Sequence, residues 1–178
     1  MTADLKENLM TGVKSKLAQE LGVKNEFALP RLVKIVLNTG TGRREAKDVE
    51  LIQKQLELIS GQKCVARQAK KSIASFKTRK GMAIGLSCTL RGRRMYDFLL
   101  RLINISLARL RDFRGLDVKL VDSSGNLTIG FKEHIVFPEI AGEDVKALFG
   151  LEVTLVVKSR SREEAIAFYR ALGIPFKK

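Results

Sequence analysis

From Leu58 to Tyr96 the chain runs thirty-nine residues without one aspartate or glutamate, and the same stretch holds ten lysines and arginines. The chain's own acidic share would put roughly four carboxylates there, which argues against a surface that is merely solvated. Ten of the fourteen net positive charges lie in this window, so the rest of the chain is nearly balanced. A focused positive field without counter-charge selects a polyanion as partner.

Other residues are scarce in ways that exclude whole classes. The two cysteines, Cys64 and Cys88, have no cysteine or histidine beside them, and the lone histidine is His134. That set cannot furnish a structural zinc site, so no metal or other cofactor is expected. It also provides no disulfide framework, which favours a reducing, cytoplasmic compartment. Both thiols are expected to fill space in strands. No apolar run approaches the length of a membrane span, and residues 1–21 mix charged and apolar side chains, including Asp4, Glu7 and Glu20, unlike a leader sequence. Tryptophan is absent, and Phe76 and Tyr96 are the aromatic residues of the basic window, so RNA recognition would lean on backbone charge and shape more than on stacking.

What is present fits one domain over residues 1–178, long enough to close its own core. Leu5, Leu9, Val13, Leu17 and Leu21 recur at helical spacing before Gly22. Residues 31–38 follow Pro30 as a strand with Val33, Ile35 and Leu37 inward and Lys34 and Asn38 on the other face. Val49, Ile52, Leu56 and Ile59 predict a helix stopped by Gly61. Lys63 to Gln68 and Ala83 to Arg91 read as strands; in the second, Ile84, Leu86, Cys88 and Leu90 alternate with Gly85, Ser87, Thr89 and Arg91. Met95, Phe98, Leu99, Leu102, Ile103 and Leu107 predict the longest helix, ended by 111–115. Leu116–Val121 and Leu127–Phe131 flank a hairpin signal, Leu151–Lys158 is a last strand, and Ser161 with Glu164 forms a capping box for a terminal helix. The fold class is therefore α+β: a largely antiparallel mixed sheet of about five strands, helices packed on one side, and a long basic loop between the second and third strands.

Enzyme chemistry finds no support. The turn Asn38-Thr39-Gly40-Thr41-Gly42 lies between a strand and a helix, but it lacks the Lys-Ser/Thr of a P-loop and the third glycine of a dinucleotide fingerprint. His134 sits beside Ile135 and Val136, which suits a partly packed residue at a strand start better than a catalytic base. The pairs Glu143-Asp144 and Glu163-Glu164 fall where helix starts favour acids. By contrast, residues 70–81 combine Lys70, Lys71, Lys77, Arg79 and Lys80 with Ser72, Ser75 and Thr78 and the ring of Phe76, groups that meet phosphate, sugar and base.

Several motifs, in order along nearly the whole chain, carry a resemblance: Pro30-Arg31 with Lys34-Ile35 and Leu37-Asn38; Ser60-Gly61-Gln62-Lys63; Lys71-Ser72 with Phe76-Lys77, Arg79 and Gly81; Thr89-Leu90-Arg91-Gly92; Arg111-Asp112-Phe113-Arg114-Gly115-Leu116; and Phe137-Pro138-Glu139-Ile140. The chain resembles the bacterial-type large-subunit ribosomal protein number five, the 5S rRNA-binding family of the central protuberance. The resemblance implies a non-enzymatic constituent of the large ribosomal subunit that binds 5S rRNA and contacts peptidyl-site tRNA. Carried over residue by residue, it assigns rRNA contact to Asn38, Gln62, Thr89, Arg91 and Gly92. It assigns tRNA contact to Lys70, Lys71, Ser72, Ser75, Phe76, Lys77, Arg79 and Lys80. It further implies neighbouring 5S rRNA-binding ribosomal proteins and a small-subunit head protein, met through an intersubunit bridge, as partners.

The chain departs from the family pattern at Thr39 (often Met), at Cys64 and Ala83 (often Pro), and at Arg67-Gln68 (often Thr-Lys). Two rivals are an RNA-modifying enzyme, for which no catalytic constellation is visible, and a binder of anionic membranes. The second would need a basic amphipathic helix, whereas this basic run is broken by glycine and serine and bordered by strands.

Overall fold

The computed structural model describes residues 2–23, 25–42, 44–111, 113–140 and 148–177, with the backbone path alone for 2–11. The expected roles of Asp112, Glu143 and Asp144, and the side chains of Leu5 and Leu9, lie outside the described residues. Helix α1 (Thr2–Leu21) buries Val13 and Leu17, and Gly22 takes the left-handed conformation that ends it. Strand β1 (Arg31–Gly40) leads to α2 (Ala46–Ser60), whose Ile52, Leu56 and Ile59 are fully buried. Gly61 stops α2 at φ 67°, its N–H donating to Glu57 O.

Strands β2 (Val65–Gln68) and β3 (Ala83–Leu90) precede α3 (Gly92–Arg101); β4 (Leu127–Phe131), β5 (Leu151–Lys158) and α4 (Arg162–Ala171) complete the order. The strands form one sheet, β2-β3-β1-β5-β4, antiparallel at every pairing. This is the expected α+β architecture, with the basic loop between the second and third strands.

Alternation along the strands sends one set of side chains into a single core. Ile35 opposes Leu90 and Leu155, and Leu37 opposes Cys88 and Val153, all buried with Ile52, Leu56, Phe98, Leu99 and Phe168 from the helices. Phe137 stacks on Phe98 at 5.8 Å and meets Phe131 edge-on at 5.3 Å. The buried Tyr169 hydroxyl of α4 lies 2.8 Å from Gly125 O and 3.1 Å from Leu155 O, tying the hairpin turn and β5 to the helix. The opposite sheet face has no helix over it among the described residues.

Four local expectations are corrected. Val33 is not inward: β1 bulges between Leu32 and Lys34, which turns Leu32 into the core and leaves Val33 exposed. Leu116–Val121 is not a strand. Leu116 N–H donates to Pro175 O and its carbonyl accepts from Lys177 N–H, while residues 118–120 form a 3₁₀ turn capped by Asp117. The helix after β3 is shorter than α1 and changes at Leu102–Ser106 to a π turn closed by Leu107 N–H on Leu102 O. That five-residue step keeps Leu102 and Leu107 on the same buried side, a spacing a regular α-helix would splay. His134 does not begin a strand. It sits fully buried in a 3₁₀ turn, stacked on Phe149 at 3.9 Å, and burial lowers its pKa.

Candidate nucleic-acid interface

Register places the open face. Asn38 on β1 opposes Ser87 on β3 and Glu152 on β5, and Val36 opposes Thr89 and Thr154. Asn38 is exposed and Thr89 half-buried, both on the polar face as expected. Gly40, Gly85 and Gly130 belong to the same surface, and Thr128 reaches Thr154 across the β4–β5 pair at 3.2 Å. Small and hydroxyl-bearing residues make a low platform on which a broad, rigid ligand can approach the sheet closely.

The rim on the β3 side gathers the other rRNA candidates. Gln62 Nε2 donates to Thr89 O at 2.9 Å, so the residue after the α2 stop is latched to the platform. Ser60 Oγ holds the Gln62 carbonyl at 2.9 Å. Arg91 follows β3 as the residue before α3, and Gly92 opens the helix at φ 56°. The first turn of α3 has no acid but carries Arg93 and Arg94 behind Arg91. Cations at a helix N-terminus oppose the macrodipole, an arrangement that a bound phosphate relieves. The five residues expected at rRNA thus converge on one half of the sheet. Not foreseen are Arg31 and Lys158, paired in register and exposed on the same face. The bulge at Val33 disguised their side of the strand, although the alternation of β5 marks Lys158 as outward.

All eight tRNA candidates lie on the segment between β2 and β3, which is a structured hairpin arm. Ala69 and Met82 pair at its base, Ala69 N–H to Met82 O at 2.8 Å, and Gly81 N–H returns to Ala69 O at 3.0 Å. Farther out Ile73 and Thr78 exchange both backbone bonds, at 2.9 and 3.1 Å, around a turn closed by Lys77 N–H on Ala74 O. Ser72 Oγ accepts from Lys80 N–H at 3.0 Å, so this serine also braces the arm. Lys77 is the one non-glycine described residue with positive φ, at 51°. Left-handed backbone costs a residue with a Cβ about 1–2 kcal/mol, which the backbone bonds of the turn must offset.

Lys70, Lys71, Ser72, Ser75, Phe76, Lys77, Arg79 and Lys80 are all exposed, the Phe76 ring at 63%. Among the described residues none of the five cations forms an ion pair. The carboxylates bounding the acid-free window are engaged elsewhere. Glu57 lies below the usual carboxylate range because Gln53 and the Cys64 N–H donate to it. Asp97 meets Arg93 within α3 at 3.7 Å.

Other sequence features resolve as structure. Thr41 N–H donates to Ile84 O, which fastens the glycine turn to β3, and α2 behind it begins with Glu45 and Asp48, unsuited to a phosphate. Thr39, a departure from the family pattern, is buried and donates to Gly150 O at 2.7 Å. Cys64, another departure, is buried in contact with Cys88; their shared hydrogen bond raises one thiol and lowers the other. Among the described residues no His, Cys, Asp and Glu group could hold a metal, and no helix is long and apolar enough to cross a membrane.

Comparison with known proteins matches residues 25–79 to the family model described as ribosomal protein L5 and residues 83–176 to that of the ribosomal L5P family C-terminus. The chain is 47% identical over 176 residues to the large ribosomal subunit protein uL5 of Kosmotoga olearia, covering 98% of this chain and 96% of that one. Identity is 45% to the protein of the same name from Helicobacter pylori strain Shi470, over 98% and 97% of the two chains. It is 43% to that of Prochlorococcus marinus strain MIT 9215, over 98% of each.

Proposed function

The chain belongs to the ribosomal protein L5 family, structural and non-enzymatic constituents of the large ribosomal subunit in the bacterial cytoplasm, and on that premise we propose that its two uncovered surfaces hold two different RNAs. The open sheet face, with Asn38, Gln62, Thr89, Arg91 and Gly92, binds 5S rRNA in the central protuberance. The hairpin arm, through Lys70, Lys71, Ser72, Ser75, Phe76, Lys77, Arg79 and Lys80, contacts peptidyl-site tRNA during translation. The same proposal includes neighbouring 5S rRNA-binding proteins and a small-subunit head protein as partners.

The observation that carries the reading is that, among the described residues, the arm's cations form no ion pair, within a hairpin ordered by its own backbone bonds. Unpaired cations held apart on an ordered projection are available to phosphates, and their grip is insensitive to base sequence. That tolerance suits a loop that every tRNA must pass. The platform is built for a fixed ligand, with side chains held in register by four strand pairings.

Two measurements test the proposal. A single RNA of 5S size should co-purify with the full chain from a bacterial lysate; its absence, or a heterogeneous smear, counts against the assignment. If six or more phosphates are neutralised, 5S rRNA affinity should fall by roughly a thousandfold between about 50 and 200 mM salt. A flat response contradicts phosphate contact as the main source of affinity.

A further inference from the structure

Beneath the arm, where it leaves the sheet beside the Gly42 turn, runs a groove of about 570 Å³. Ile73, Phe76, Met82 and Ile84 line it, each between 40% and 63% exposed, with Lys70 and Lys71 at its edge. Strand parity assigns Ile84 to the core side, as expected from the sequence, but β1 ends at Gly40, one pair short of it. The side chain therefore lies beyond the packed helices and opens into the groove. Four apolar side chains grouped on the most cationic part of the molecule are a costly surface to leave wet, and among the described residues no carboxylate lines it.

We infer that this groove seats the base of one unpaired RNA nucleotide, with Lys70 and Lys71 on its flanking phosphates. A base is flat and largely apolar on its faces, and its backbone carries the opposite charge to the groove's rim. An acidic peptide would match the charge but leave the apolar floor unfilled. The inference rests on the arm's being an RNA contact, and it adds that the arm takes hold of a single extruded base besides gripping phosphate.

The test uses the full chain and two RNA stem-loops, identical except that one carries a single extrahelical uridine and the other an abasic nucleotide at that position. The native chain should bind the uridine form roughly tenfold more tightly. Ile84→Ser and, separately, Met82→Ser should shrink that preference below about twofold while affinity for the abasic form is kept, since both side chains are already part-exposed. A 4-thiouridine at the same position should cross-link to groove residues. Equal binding of the two RNAs by the native chain, or cross-links elsewhere, overturns the inference. So does self-association abolished by Ile84→Ser, which would give the groove to a second copy. If K77A/R79A/K80A leaves both affinities unchanged, the RNA-arm reading itself has failed; if it weakens both while the base makes no difference, the groove alone has.

Discussion

The open sheet face and the hairpin arm both present positive charge with no α-helix over them among the described residues, yet they are held in opposite ways. Asn38 and Thr89 ride on the central strands, whose inward side chains Ile35, Leu37 and Leu90 are completely buried. Every residue of the arm between Lys70 and Lys77 is exposed, and its shape rests on local bonds, Ile73 with Thr78 and Ser72 with Lys80. On the two-RNA proposal, the difference teaches how one small protein would serve a permanent ligand and a passing one. Precise hydrogen bonding needs positions fixed by a core, whereas sequence-blind phosphate contact needs reach and charge, which a hairpin supplies without packing.

The largest expected effect breaks the comparison at its base. Leu37→Ala removes buried volume directly beneath Asn38 and should cost about 2–5 kcal/mol in chemical denaturation, with 5S rRNA binding falling in step. Ser72→Ala on the arm should stay within about 0.5 kcal/mol of the native chain in the same assay. Similar losses from both would show that the arm is as integral to folding as the sheet.

Next comes charge. K77A/R79A/K80A should weaken tRNA binding on the order of a hundredfold at 0.1 M salt and flatten its salt slope by two to three, roughly one per lost phosphate contact. Affinity for 5S rRNA should hold within about threefold, because none of the three cations lies on the platform. Filter binding with both RNAs decides it, and the reverse pattern would exchange the two assignments. Smaller again, Asn38→Ala or Thr89→Ala should cost about 1 kcal/mol of 5S rRNA affinity, near fivefold, and leave tRNA untouched. A null effect at both positions would move the rRNA contact off the β1–β3 half of the face, most directly toward Arg31 and Lys158.

The parts of the molecule legible in the sequence are those decided locally. Gly61 ends α2 and Ser161 caps α4 because the responsible atoms lie within a few residues, and strand alternation put Asn38 and Thr89 outward for the same reason. Even there the capping box is altered, since Glu164 accepts from Arg160 N–H and not from that of Ser161. What escaped was set by distant partners. Val33 turns outward because β5 fixes a bulge opposite it, and Leu116 is drawn from a hairpin by Pro175 and Lys177 at the far end of the chain. The arm showed in composition but not in form. Nothing between Lys70 and Gly81 alternates in a strand-like way, so the Ile73–Thr78 pairing, the left-handed Lys77 and the groove that gathers Ile73, Met82 and Ile84 arise only from the folded path of the arm.

That lysine offers the smallest and most discriminating change. Glycine adopts positive φ freely, so Lys77→Gly should relieve the turn and slow amide exchange at Ile73 and Thr78, whose N–H groups close the pair, by about three- to fivefold. The gain is partly offset by the greater freedom of glycine in the unfolded chain. The same change deletes a cation, so tRNA affinity should fall several-fold and the salt slope by roughly one. Lys77→Ala provides the control: it loses the same charge but keeps a Cβ in the left-handed region, so it should bind tRNA as weakly as the glycine variant without the added exchange protection. An arm that becomes better ordered yet grips less well would show that lysine is kept there for its charge, against the preference of the backbone. Should Lys77→Gly bind tRNA as tightly as the native chain, the turn cation contributes nothing, and the grip belongs to Lys70 and Lys71 at the arm's base.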